Sequence, residues 1–222
     1  MNFKRKIQLG IASATGILVV GLFAAPSVTN VLHAASDTVT SVSQTAAPTT
    51  VKGTDQTVKA TAASGTKGNY SVKYTKAGTS STTATYRQTD YNNSSDASKQ
   101  VSAVADTQGD SVKLSSGTSA TVQGTMGKVY VHWNTGSWSV TTIANTQDVA
   151  TNPTKFANQV NTQLQKQDLT AKNVTSGSVT VYDTAQNGQA NSVEWQNGAQ
   201  VSKVQGQQAN TVIKIAAQAK TN

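Results

Sequence analysis

Short runs in which apolar and polar residues alternate are the feature that most constrains how this chain can fold. The alternation in YSVKY (70–74), KVYVHW (128–133) and SVTVYD (178–183) is the pattern of strands with one buried face. Glycine turns at 134–137 (NTGS) and 197–198 (NG) predict that two pairs of such strands form hairpins. Strands this short, connected in this way, predict an antiparallel sheet built of hairpins.

Three other segments have apolar residues at helical spacing and predict amphipathic helices. The first spans 95–109, the second begins at the Asn-Pro pair 152–153, and the third is at the C-terminal end. The apolar positions are Ala97, Val101, Val104 and Ala105; Phe156, Ala157, Val160 and Leu164; and Val212, Ile215, Ala216 and Ala219. The predicted fold class is α+β: an antiparallel sheet built of hairpins, with amphipathic helices packed on one face, preceded by a disordered linker.

The N-terminal part of the chain is expected to stand apart from this fold. Three basic residues in MNFKRK precede an apolar run that ends in small residues, which is the order of a signal peptide over 1–35. The apolar run is shorter than the roughly 20 residues that span a bilayer. Residues 36–68 are mainly Thr, Ser and Ala with little to bury, and predict a disordered linker. We therefore expect a single α+β domain over 69–222, in a protein that is secreted and loosely held at the cell wall.

The charge of the chain suggests the kind of partner it meets. The sequence has 18 Lys and Arg against ten Asp and Glu, and the predicted signal peptide contains three of the basic residues and no acidic one. The remaining excess favours weak attraction to a polyanion or another surface component of the cell envelope. Nucleic acid is not expected as a partner, because the chain has no basic run and no alternation of basic and aromatic residues. We expect no membrane span after cleavage, and a monomer.

The stretch VHWNTGSWSV (131–140) holds two of the three tryptophans and the only histidine after the predicted signal peptide. Side chains alternate along a strand, so Trp133 and Trp138 are predicted to form a directly opposed pair on the core face. Tyr130 and His132 then point to the other face, where we expect His132 at the surface. The alternative for the tryptophans is an exposed platform on which a sugar or peptide stacks. The candidate ligand contacts are therefore Trp133, Trp138, Tyr130 and His132.

No catalytic, cofactor-binding or metal-binding residue is predicted. A zinc site needs several His, Cys or clustered carboxylates, and this chain has no cysteine and one histidine after the predicted signal peptide. It has no GxSxG motif, and the carboxylates of Asp106, Asp110 and Glu194 are scattered. The sequence therefore indicates a protein that is not an enzyme and uses no cofactor. A hydrolase whose carboxylates meet only in the fold is a further hypothesis.

The C-terminal part, SVEWQNGAQVSKVQG followed by IKIAAQA, is similar to the end of a family of Gram-positive extracytoplasmic domains of unknown function. The residues that carry the match are Trp195, Gly198, Gly206, Ile213, Ile215 and Ala216. The preceding GKVYVHWNTGSWSV resembles the middle of small secreted or cell-surface proteins of lactic-acid bacteria. The resemblance covers about 70–220 and implies a helix-backed antiparallel sheet, with some likeness to lipoprotein-carrier half-barrels. It implies no activity and no site residues, and this chain lacks the cysteine that anchors the lipoprotein members.

The sequence also contains a weak internal repeat. The pattern V-x-W-[NQ]-x-G occurs at 131–136 and at 193–198, each time in a predicted hairpin that precedes a predicted helix. The repeat has two alternative explanations. Either a strand–strand–helix unit was duplicated, or two unrelated hairpins have similar turn residues by coincidence.

These features together predict a secreted, cell-envelope-associated, non-catalytic binding or interaction protein. The alternative is an extracytoplasmic carrier or sensor of a lipid or other apolar ligand, held between the sheet and the helices. A large apolar cavity would favour the carrier, and a filled core would favour the surface binder.

Overall fold

A twelve-stranded sheet with helices on both faces forms the part of the chain that the computed structural model describes, residues 38–52, 57–186 and 188–221. The strands are β1 (Thr38–Val39), β2 (Thr50–Lys52), β3 (Thr57–Thr66), β4 (Asn69–Lys76), β5 (Thr82–Asp90), β6 (Asp110–Lys113), β7 (Ser119–Thr125), β8 (Lys128–Thr135), β9 (Trp138–Asn145), β10 (Ser176–Tyr182), β11 (Asn191–Asn197) and β12 (Gln200–Gly206). The helices are α1 (Ser94–Ser98), α2 (Lys155–Lys166) and α3 (Ala209–Gln218). The predicted signal peptide lies outside the described residues.

The sheet consists mainly of three antiparallel meanders placed side by side. The strand order is β1-β3-β4-β5-β12-β11-β10-β9-β8-β7-β6, and β2 pairs with β3 beside β1. Every pairing is antiparallel except that of β9 with β10. These two strands are parallel because α2 connects them, as a crossover connection requires. The prediction of a mostly antiparallel sheet is confirmed, and the parallel pair was not predicted.

Residues 38–52 and 57–68, which the sequence predicts to be part of a disordered linker, belong to the folded domain and contribute three strands to the sheet. β3 is antiparallel to β4 along most of its length and also pairs with β1 and β2. Val51 is fully buried, and the hydroxyl of Tyr74 donates to the Pro48 carbonyl at 2.6 Å. The linker prediction is wrong for these residues, because threonine-rich strands are stabilised by backbone pairing and cross-strand contacts and need few large side chains.

One face of the sheet carries the main core, and α2 and α3 pack on it. Val131 of β8, Val140 of β9 and Val193 of β11 are among its fully or almost fully buried side chains. The predicted apolar stripe of α3 is also buried; it consists of Val212, Ile215, Ala216 and Ala219. Because strand parity and helix periodicity both agree with the observed burial, the predictions for this face are confirmed.

Helix α1 lies on the opposite face, so the prediction that the helices pack on one face is wrong for this helix. Its Ala97 packs near Val201 of β12 in a small cluster separate from the main core.

The helix predicted over 95–109 ends at Ser98, and residues 102–105 cross the sheet as an irregular segment that we call the strap. Backbone groups of the strap bond to side chains of the sheet, which replaces the hydrogen bonds of a helix.

The two hairpins that contain the V-x-W-[NQ]-x-G pattern turn in the same way. Each has a two-residue turn, 136–137 in β8–β9 and 198–199 in β11–β12. The first turn residue is a glycine with positive φ, 56° at Gly136 and 58° at Gly198, as a type II′ turn prefers. The predicted four-residue loop is too long, because β8 continues through its first two residues. Both copies of the pattern thus have the same turn, and each hairpin precedes a helix.

Candidate functional site

Trp133 and Trp138 lie in the core, where each residue is 1% exposed. The two-residue turn places Trp133 opposite Val140 and Trp138 opposite Thr135. The tryptophans share the core face, but they are diagonal neighbours, so the predicted direct opposition is wrong. Neither indole N–H has a hydrogen-bond partner among the described residues. The rings therefore stabilise the fold by apolar packing.

Tyr130 and His132 point to the opposite face, as strand parity predicts. Tyr130 is half-buried. His132 is only 6% exposed, and its Nδ1 lies 3.0 Å from the Thr141 hydroxyl. The imidazole also lies close to the backbone of Val104 in the strap, but its Nε2 has no hydrogen-bond partner among the described residues. The expectation that His132 is at the surface is wrong, because the strap lies over it. The structure therefore does not bring the four sequence candidates together into one exposed site.

His132 gives a prediction about pH. Burial lowers the pKa of His132 below its ordinary value of 6.5, although the Val104 backbone and the charge of Asp106 oppose this shift. The unfolded state then binds a proton more readily than the folded state, so the contribution of His132 to stability is present above pH 6.5 and is lost as the pH falls. We expect acidification from about pH 8 to pH 5 to lower the melting temperature less in His132→Gln than in the parent.

Circular-dichroism melts across that pH range measure the effect. Equal decreases in the two proteins would contradict a role for this imidazole.

A cleft of about 730 Å³ opens between α2, the start of α3 and the end of β10. Its volume lies within the range of small-molecule sites, roughly 300–1,000 Å³. Six of its 13 lining residues carry a side-chain amide: Asn158, Gln159, Gln163, Gln207, Gln208 and Asn210. The described lining also contains the aromatic rings of Phe156 and Tyr182 and one carboxylate, that of Asp183. The lining is therefore rich in groups that both donate and accept hydrogen bonds.

Two of these amides are well placed to act together. Gln159 and Gln163 lie one turn apart on α2, so they project from the same side of the helix. Their side chains have no hydrogen-bond partner within the described part of the chain, and neither has that of Asn210 at the start of α3. Asn158 differs, because its carbonyl oxygen accepts from the backbone and hydroxyl of Ser115 at 2.7 and 3.0 Å. The Gln pair is therefore available to a ligand.

A buried asparagine connects two of the segments that line the cleft. Asn191 is fully buried, and its Oδ1 accepts from the Tyr182 N–H at 2.8 Å. Its Nδ2 donates to the carbonyls of Gly206 and Gln207 at 3.3 and 2.7 Å. This one side chain therefore ties the end of β10 to the segment that leads into α3. Because every polar group of Asn191 is satisfied, its role is to position the cleft.

Among the described residues that line the cleft, Asp183 has no second carboxylate with which to form an acid–base pair. Within residues 38–52, 57–186 and 188–221, no group of three His, Cys, Asp or Glu residues could hold a metal ion. None of the helices in these ranges is both long enough and apolar enough to cross a membrane.

Sequence reasoning did not find the cleft. Its lining comes from three elements between 156 and 211, and amide side chains are ordinary on exposed helix surfaces. The only local signal was the spacing of Gln159 and Gln163, which is also common on solvated helix faces. Comparison of the chain with protein-family models, curated proteins and solved structures found no match.

Proposed function

We propose that the protein is a secreted, cell-envelope-associated, non-catalytic binding protein, and that the α2–α3 cleft binds a neutral, polyhydroxylated ligand such as a glycan. The observation that carries the proposal is the lining of the cleft, in which amides and hydroxyls outnumber apolar and charged groups. Amides pair well with sugar hydroxyls because each amide has two donors and an acceptor. The predicted signal peptide and the excess of basic residues support a location at the envelope.

The aromatic residues of the cleft support the same ligand class. Phe156 and Tyr182 offer apolar ring surface, which suits the C–H face of a sugar ring, beside the polar amides. The lone carboxylate, Asp183, favours a binding role over hydrolysis. An apolar-ligand carrier is less well supported, because the main core consists of buried side chains packed together and most of the residues that line the cleft have polar side chains.

The proposal predicts that a soluble oligomer of N-acetylglucosamine binds saturably and that Gln159→Ala/Gln163→Ala weakens this binding on the order of tenfold. Loss of two hydrogen bonds, each contributing about 0.5–1.5 kcal/mol, gives a change of that size. Titration followed by amide NMR shifts measures both the affinity and the position of the site.

Gln165→Ala is the matched control, since it makes the same change on an exposed residue of α2 outside the cleft. The control should bind like the parent. Failure of the oligomer to bind the parent, or equal affinity in the double variant and the control, would contradict the proposal.

A further inference from the structure

The face of the sheet opposite the main core carries a row of polar residues that runs across seven neighbouring strands. Strand register places one polar residue of each strand, from β8 through β9, β10, β11, β12 and β5 to β4, side by side. Neighbouring strands lie about 4.8 Å apart, so the row forms a continuous line over the sheet. We call this line the polar row.

The strap covers half of the polar row and is bound by its side chains. Glu194 accepts the N–H of Ser102 at 3.0 Å, and Ser178 donates to the carbonyl of the same residue at 2.9 Å. Ser139 accepts the N–H of Val104 at 2.9 Å, and Asn134 donates to the carbonyl of Ala105 at 2.5 Å. Acceptors and donors alternate along this half, which matches the alternating N–H and C=O groups of a peptide.

The other half of the polar row is uncovered and has a different chemistry. It consists of Lys203, Arg87 and Ser71 on β12, β5 and β4, and Lys73 lies two residues further along β4 on the same face. Arg87 and Lys73 are exposed, and the Lys203 side chain is 38% exposed. Lysine and arginine only donate hydrogen bonds, so this half matches an acceptor-rich ligand and not a peptide backbone.

The charges of this half are only partly compensated within the chain. Lys203 pairs with Glu194 at 2.7 Å. Arg87 and Lys73 have no carboxylate partner among the residues that the structure describes. Arg87 also lies directly opposite Lys203 on the neighbouring strand, and like charges in that relation repel. A bound anion between them would relieve this repulsion.

We propose that the uncovered half of the polar row, together with Lys73, docks a linear polymer that carries phosphate groups. The line of donors across three neighbouring strands suits an extended chain. The guanidinium of Arg87 suits the oxygens of a phosphate, which it can bind in a bidentate manner. The site lies on the face opposite α3, so it is separate from the cleft proposed for neutral glycans and is independent of that function.

Titration of the full chain with inorganic polyphosphate by calorimetry tests the proposal. We expect saturable binding that weakens as salt is raised. Arg87→Gln/Lys73→Gln should weaken it on the order of tenfold, because the double variant removes the two cations of the site that have no carboxylate partner among the described residues. Lys155→Gln/Lys166→Gln removes the same charge from the two ends of α2, and should change the affinity by less than about twofold.

Three results would overturn the proposal. They are absence of polyphosphate binding, equal weakening in the two double variants, and tighter binding of poly-glutamate than of polyphosphate, which would indicate an acidic polypeptide as the partner. Binding of the N-acetylglucosamine oligomer should be unchanged in Arg87→Gln/Lys73→Gln. This readout verifies that the variant is folded and distinguishes failure of this site from failure of the cleft.

Discussion

Replacement of Trp133 with alanine should lower the free energy of unfolding by about 3–5 kcal/mol, the range for removal of a buried aromatic ring. The residue is 1% exposed, and it lies on the core face opposite the fully buried Val140. Its neighbour along β8 on the same face, Val131, is also buried. Alanine would leave a cavity that these branched side chains cannot fill without moving the strands.

Denaturant titration of the variant and the parent measures this loss. Gln123→Ala on β7 is the control, because its side chain is exposed and its loss should change the stability by no more than about 0.5 kcal/mol. An unchanged free energy of unfolding in Trp133→Ala, combined with lost oligosaccharide binding, would show instead that the indole contacts a ligand.

Replacement of Gly177 with alanine should lower the free energy of unfolding by about 1–3 kcal/mol, as overpacking of a core does. A Cβ atom at this position would lie 2.3–2.7 Å from three ring carbons of Trp138, closer than any van der Waals contact. Gly177 sits between Trp138 on β9 and Trp195 on β11 in the strand register. The ring of Trp138 can make room only by displacing other buried side chains, because the residue is itself 1% exposed.

Gly124→Ala is the matched control for this prediction. Gly124 is also in a strand, but a Cβ atom there would have no heavy atom within 4 Å. Alanine at 124 should therefore be neutral or slightly stabilising. Combining Gly177→Ala with Trp138→Phe should recover part of the loss, because the smaller ring frees space, and a double-mutant cycle measures this coupling. Equal losses at the two glycines, or strict additivity in the cycle, would contradict the steric explanation.

Local patterns in the sequence were sufficient for the elements whose burial follows a simple period. The alternation around Trp133 predicted which side chains face the core, and the helical stripe from Val212 to Ala219 predicted the buried side of α3. The same reasoning predicted hairpins at both tryptophan motifs, although it misplaced the turn residues by one or two positions. These predictions succeeded because a side chain's direction depends only on its own strand or helix.

Other features depended on partners that are distant in the chain. The segment 57–66 became a strand because β4 and the short strands β1 and β2 pair with it, although its own side chains are mostly small. The apolar spacing over 97–105 favoured a helix, yet the strap is irregular because Glu194, Ser178, Ser139 and Asn134 bind its backbone. Backbone hydrogen bonds of this kind leave little trace in the local composition.

The sequence by itself thus determined the strand and helix faces, the glycine turns and the apolar role of the tryptophans. Only the tertiary structure decided the burial of His132, the cleft between α2 and α3, and the polar row with its cationic half. The physical reason is that each of these depends on the order and register of strands far apart in the chain, such as β5 beside β12 and β9 beside β10. Register brings single polar residues of different strands together, and no short stretch of sequence contains that information.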